Sequence, residues 1–280
     1  MSVERASAGC LSGHTADDWV SAVQRSIETM RDDLGAEHSL RSLAKSAWLS
    51  PFYFHRVFSK VTDSTPARFL AAWRIAEAKR MLAYSPANVT EICMRMGYSS
   101  LGTFSSQFTK KVGVSPRRFR RIVDAHRDRP INDVLRDLSQ SWAAPAGGPI
   151  AVTVNGGPAG VPAVIGLFCS GIPEERPTEC AFVDVPGTAM FSGLPTHAQY
   201  ALVMSFDESV TVVEAVAATD LDRCYVGAGD LTSGIAAHQA MNFTLDVQLR
   251  RRRLTDPPIV LALPLLIAAR GPRNVGETTS

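Results

Sequence analysis

Residues 89–116 read VTEICMRMGYSSLGTFSSQFTKKVGVSP. Val89, Ile92, Cys93 and Met96 fall at i, i+3, i+4 and i+7, the apolar stripe of a short helix, and Gly97 supplies the left-handed residue that ends such a helix. Ser99 or Ser100 is placed to cap a second helix. That helix buries Phe104, Phe108 and Val112 at four-residue spacing and leaves Gly102, Ser105, Ser106 and Thr109 on the opposite face. A short helix, a tight turn and a second helix whose outer face has no core duty form the layout of a helix-turn-helix reader of DNA.

The pattern also occurs fifty residues upstream. Phe54/Phe104, Phe58/Phe108, Lys60/Lys110 and Pro66/Pro116 all keep that spacing. In the first copy Leu40, Leu43 and Ala44 carry the short helix, and Ser50-Pro51 is a cap followed by proline at the first helical position. Phe54, Phe58 and Val61 are its buried stripe, with Phe52, His55, Arg56 and Ser59 facing outward. Between the copies, residues 66–84 read as one helix, roughly 28 Å long at about 1.5 Å per residue. A spacer of that length suits two reading helices in successive major grooves, about 34 Å apart.

The strings FYFHRVFSK (52–60), RIAEAKRML (74–82) and EICMRMGYSSLGTFSSQFTKKVGVSPRRFRR (91–121) resemble the DNA-binding domain of the AraC/XylS family of transcription regulators. The resemblance covers about 84 residues. It implies a sequence-specific regulator that contacts double-stranded DNA through Phe52, His55, Arg56, Ser59 and Lys60 in the first unit. In the second unit the contacts are Gly102, Ser105, Ser106, Thr109 and Lys110, with Arg117 and Arg118 on the following helix. Three positions depart from the family pattern: Asp63 stands where glycine is usual, Cys93 where alanine is common and Ser106 where arginine is frequent. Arg56 is thereby the stronger candidate for a guanine edge. RNA polymerase and a small-molecule effector are further candidate partners, and the protein acts as a monomer or homodimer.

Charge is segregated along the 280 residues. Residues 36–121 hold 15 Lys/Arg against 4 Asp/Glu, whereas residues 151–249 hold 2 against 11. The basic half is an electrostatic footprint for phosphate and the acidic half is unsuited to nucleic acid. The N-terminus has no secretory pattern, and the longest apolar run, residues 259–269, contains Pro264. The reading is therefore a cytoplasmic protein with no membrane span. Five cysteines without a C-x-x-C pair read as reduced thiols, with Cys169 and Cys180 as a minor redox-pair alternative.

In chain order, residues 1–13 read as disordered. An amphipathic helix bearing Trp19, Val23, Ile27, Met30 and Leu34 then scaffolds the first unit, so that the DNA-binding domain spans 14–129. Pro116 opens a basic helix with Arg117, Arg118, Arg120 and Arg121 placed for phosphate. Residues 124–142 remain helix-compatible, although the stretch 130–149, ending in AAPAGGP, is assigned to a linker. Beyond it, short apolar runs separated by Gly and Pro turns argue for a β-sandwich over 150–270, with 259–269 as a last short helix and 271–280 as a tail. The tract from Pro186 to Met204 resembles carboxypeptidase-regulatory or transthyretin-like sandwiches. The expected fold is thus an all-α double helix-turn-helix domain followed by an all-β sandwich-like domain that serves effector sensing or oligomerisation.

No cofactor, metal or catalytic residue is expected. His197, His238, Asp220, Asp222 and Asp230 lack a nucleophile with a spaced base, a G-x-S-x-G elbow or an H-E-x-x-H motif. A DNA-targeted repair-type enzyme and a ligand-free DNA-bound scaffold are the rival readings. The first is weakened because Cys224 lacks the flanking proline and histidine of alkyl-transferring repair proteins. Arg250 to Arg253 is read equally as a nucleic-acid contact or as a partner for the acidic domain.

Overall fold

The computed structural model describes residues 15–141, 148–192, 197–217, 223–232 and 243–261. Eight helices come first: α1 (Ala16–Asp32), α2 (Leu40–Ser46), α3 (Pro51–Thr62), α4 (Pro66–Tyr84), α5 (Val89–Arg95), α6 (Leu101–Val112), α7 (Pro116–His126) and α8 (Ile131–Ser141). Their boundaries follow from local chemistry. Thr15 with Asp18 and Asn88 with Glu91 form capping boxes on α1 and α5, while the side chains of Ser39, Thr65, Ser100 and Ser115 cap α2, α4, α6 and α7. Pro51, Pro66 and Pro116 open α3, α4 and α7. The turn before α6 uses Gly97 at φ 74°, and a Cβ there would lie 2.5 Å from the Gly35 carbonyl oxygen. Glycine is needed both for the angle and for that approach.

α1, α2, α3 and the start of α4 surround Val23, Ile27, Phe54, Phe58, Phe69 and Trp73. Phe58 meets Phe54 and Phe69 edge-on, at centroid distances of 5.5 and 5.3 Å. In the second unit Phe108 stands 5.7 Å from Phe104 and 5.8 Å from Phe119. α4 is buried on nearly every side, because both units and the C-terminal half pack on it.

The second half holds β1 (Ile150–Asn155), β2 (Pro162–Phe168), β3 (Cys180–Asp184), β4 (Gly187–Phe191), β5 (Tyr200–Phe206), α9 (Val212–Ala217), β6 (Cys224–Asp230), β7 (Phe243–Gln248) and β8 (Arg250–Arg251). One sheet runs β4-β1-β7, with β1 antiparallel to β4 and parallel to β7. The other, β3-β2-β5-β6-β8, is antiparallel throughout. Alternation explains the layering: Ile150, Val152, Val154, Ala163, Ile165, Leu167, Ala201 and Val203 point between the sheets. Val164, Phe168, Leu202 and Met204 point the other way, toward the helices.

The helical and β halves therefore share a core. One cluster runs from Ile75, Leu82, Phe104 and Phe108 through Leu135 to Phe168, Ile172, Phe206 and Val212. Part of the stretch assigned to a linker, residues 131–141, is α8, whose Ile131, Val134, Leu135 and Leu138 belong to this cluster. The Ile131 N–H donates to Val210 and the Val212 N–H to Arg129, which pins the junction. α9 was not expected in a β-domain; Thr211 and Glu214 cap it reciprocally. Ile259, Val260 and Leu261 are not helical, and Val260 and Leu261 are buried. The rest of the expected helix, the N-terminal stretch and the tail lie outside the described residues. No described helix is long and apolar enough to cross a membrane.

Candidate nucleic-acid interface

α3 and α6 each bury a Phe pair and present the opposite side to solvent. On α3, Phe52 is 83% exposed and His55, Arg56 and Lys60 are exposed. The Arg56 guanidinium lies 5.0 Å from the Tyr53 ring, and the Tyr53 hydroxyl accepts from Trp19 Nε1 at 3.1 Å. Lys60 Nζ lies 4.7 Å from the Trp19 ring. Aromatic stacking thus orients two cations of the outward face of α3 without neutralising either. Ser59 departs from expectation: it is half-buried, and its enclosed hydroxyl has no hydrogen-bond partner among the described residues. The helix turns Ser59 toward the body of the domain and leaves Phe52, His55 and Arg56 outward.

On α6, Gly102, Ser106, Thr109 and Lys110 are exposed, whereas Ser105 is half-buried. Thr109 Oγ1 donates to the Ser105 carbonyl at 2.6 Å, so its hydroxyl already serves its own helix. Arg117 and Arg118 are exposed at the start of α7. Arg120 points elsewhere: it donates to the carbonyls of Leu82, Ser85 and Ala87 at 3.1, 3.3 and 2.6 Å. It fastens α7 to the end of α4 and is not placed for phosphate. Arg74 likewise donates to Leu34 and Ala36. Part of the basic charge of residues 36–121 is therefore structural.

A feature that sequence reasoning missed is Trp48, 79% exposed at the turn before α3, with φ 59° and the Arg25 guanidinium 4.2 Å from its ring. It occupies the turn of the first unit as Gly97 occupies that of the second.

The C-terminal half grips the second unit at the far end of α6. Glu174, buried, binds Lys111 and, at 2.8 Å, Arg68 at the start of α4. The Glu175 N–H donates to the Lys111 carbonyl at 2.9 Å, and Lys110 Nζ lies 3.2 Å from the Glu175 carboxylate. Lys110, expected on DNA, is thus shared with the acidic half. No local pattern flags Glu174, whose partners are 106 and 63 residues away.

Three arginines of the Arg250 to Arg253 run have intramolecular side-chain partners. Arg250 makes a two-pronged pair with Asp256, both at 2.7 Å, and Arg251 lies over the Tyr225 ring and 3.8 Å from Asp207. Arg252 is buried, donates to Pro257 and lies 5.9 Å from the Trp73 ring. Of the residues considered for chemistry, His197 is exposed and Asp230 accepts from Thr232; His238, Asp220 and Asp222 lie outside the described residues. Burial pushes the Cys180 and Cys224 thiols up to about 12, away from reactive thiolates.

The helix-turn-helix domain family matches residues 43–122, the span from α2 to α7. Residues 43–122 are a helix-turn-helix domain of the AraC/XylS type. An HTH-type transcriptional regulator of Mycobacterium tuberculosis is 33% identical over 91 residues, 32% of this chain and 35% of that protein. The transcriptional activator RhaS of Escherichia coli is 33% identical over 91 residues, 32% of this chain and 33% of its own. The chain thus spans about a third of the length of these relatives. Among solved structures, the DNA-binding domain of the transcriptional factor AdpA in complex with a target DNA aligns with a TM-score of 0.34 and 28% identity, over 39% of this chain and 94% of that one. In this chain the AraC-type domain precedes the β-rich half, and α8 and α9 weld the two.

Proposed function

We propose that this protein is a sequence-specific DNA-binding transcription regulator. The observation that carries the reading is the pair of outward faces on α3 and α6, held apart by the buried α4 within an AraC-type domain. Phe52, His55 and Arg56 on α3 read bases, and Gly102, Ser106 and Thr109 on α6 enter the next groove with less hydrogen-bonding reach. Exposed Lys60, Lys110, Arg117 and Arg118 serve phosphates. The protein works in the cytoplasm, and RNA polymerase is the partner through which it acts.

The β-half is the regulatory part. Glu174 ties the ends of α4 and α6 together, so any change in its docking alters how the second reading helix is held. The test is selection of genomic duplexes by the full-length protein, followed by anisotropy titration over a range of salt. A recovered motif with two half-sites about one helical turn apart and a steep fall in affinity with salt is expected. Binding that is sequence-indifferent, or unchanged by salt, overturns the proposal.

A further inference from the structure

Where the outer face of β5 and β6 meets the end of α3 there is a cavity of about 280 Å³. That is about twice the ~150 Å³ apolar cavity known to accept a benzene ring, so a ring with a short chain fits. Val164, Leu202 and Met204 give it an apolar floor; Val61, Thr62 and Asp63 of the first helix-turn-helix unit form one wall. The charge around it is one-sided. Arg250 is the only lysine or arginine among the described residues that line it, and both of its terminal nitrogens are taken by Asp256.

Asp63 stands at the mouth. It is the left-handed residue that ends α3, at φ 51°, where the second unit has Gly113 at φ 92°. Its Cβ packs on Gly171, where a Cβ on the glycine would lie only 2.9 Å away, and its carboxylate has no hydrogen bond or ion pair among the described residues. Desolvation against the β-half and the charge of Asp230 raise its carboxyl above the usual aspartate range, and the same two carboxylates, after burial, raise the Tyr200 phenol. Asp63 is exposed at this rim, so its carboxylate is open to a cation from solvent beside an apolar cavity.

We propose that this cavity binds a small organic monocation whose apolar body lies against Val164, Leu202 and Met204 and whose ammonium group pairs with Asp63. The inference deepens the regulator reading, on which it rests, by naming the chemical class its β-half recognises. The ligand touches both halves at the C-terminus of α3, so its binding energy feeds into the docking of that helix.

Three probes of matched shape test it without DNA: phenylbutylamine, phenylbutanol and phenylbutanoate, titrated calorimetrically into the full-length protein. The amine is expected to bind about three- to tenfold more tightly than the alcohol, with the carboxylate weakest. Asp63→Asn should bring amine and alcohol to equal affinity, and Met204→Trp, which fills the cavity, should weaken all three. Equal affinities in the wild-type protein, no binding of any probe, or an amine preference that survives Asp63→Asn overturns the proposal. Since no DNA is present, failure of the regulator reading shows separately, in the duplex titration.

Discussion

Asp63 and Gly113 occupy the same position in the two helix-turn-helix units, fifty residues apart, and both are left-handed. Only one carries a side chain. Gly113 adopts its angle at no steric cost, while Asp63 adopts it at a cost of about 1 kcal/mol and presents a carboxylate to the neighbouring domain.

That carboxylate makes a signed prediction. A group whose folded value is raised stabilises the fold fully below its unfolded value of 3.8 and loses that contribution as pH rises through its folded value. Asp63→Asn keeps the tolerance for the left-handed angle and removes the charge. Urea unfolding should find the variant more stable than wild type at neutral pH, with the advantage vanishing toward acid. An advantage that persists unchanged at low pH would show that charge is not the cause.

Arg56 and Ser106 lie on the exposed faces of α3 and α6, in different units. Arg56→Ala should cost about 1–3 kcal/mol on the selected site and relax specificity there, while Ser106→Ala costs less. Equal losses on specific and random duplex for Arg56→Ala would make it a phosphate contact.

Arg120 and Arg117 share a basic helix but have different roles. Arg120→Ala leaves three carbonyls without their donor and should destabilise by about 2–4 kcal/mol. Arg117→Ala should leave stability within about 0.5 kcal/mol and lower the salt slope by about one. Thermal unfolding and salt titration of both variants separate the two roles.

Glu174→Ala removes the shared partner of Arg68 and Lys111 and leaves Lys111, whose side chain is only 15% exposed, unpaired. A loss of about 2–4 kcal/mol is expected, measured by urea unfolding of the full-length protein. A loss below about 0.5 kcal/mol would show that the clamp contributes nothing.

Lys79, buried in α4, donates to the Ile259 carbonyl at 2.9 Å; burial first, and then Arg252, lower its ammonium to about 7. Its depressed value means that its favourable contribution is complete above the ordinary 10.5 and is lost as pH falls through about 7. The stability of wild type relative to Lys79→Met should therefore rise between these values. A flat difference across that window would place the amine in a solvated site.

How much was legible varies with the range of the forces involved. The helix-turn-helix pair is written in local signals: Ser, Thr and Asn caps, Pro at first helical positions, Gly97 and Gly113 at left-handed turns, and Phe104 and Phe108 at helical spacing. Each acts within a turn or two of chain, so residues 40–126 could be read directly. The β-strands were legible for the same reason, through alternation and Gly or Pro punctuation.

What sits against what is set by burial across the whole chain. A helical wheel places Ser59 outward, but the packing of the first unit half-covers it. The arginines 120 and 250 to 252 look alike in one dimension; the carbonyls of Leu82, Ser85 and Ala87 and the Trp73 ring, brought near by folding, and the local Asp256 sort them into different roles. α8 falls in the stretch that reads as a linker because its apolar face finds its partners in the chain beyond it. Asp63 could be noticed in the sequence as an aspartate where a glycine was expected, yet its carboxylate gains a meaning only because the sheet of β5 and β6 leaves an apolar cavity beside it. The sequence by itself determined the two helix-turn-helix units. The tertiary structure decided that they are welded to the β-half, through a core that no local pattern encodes.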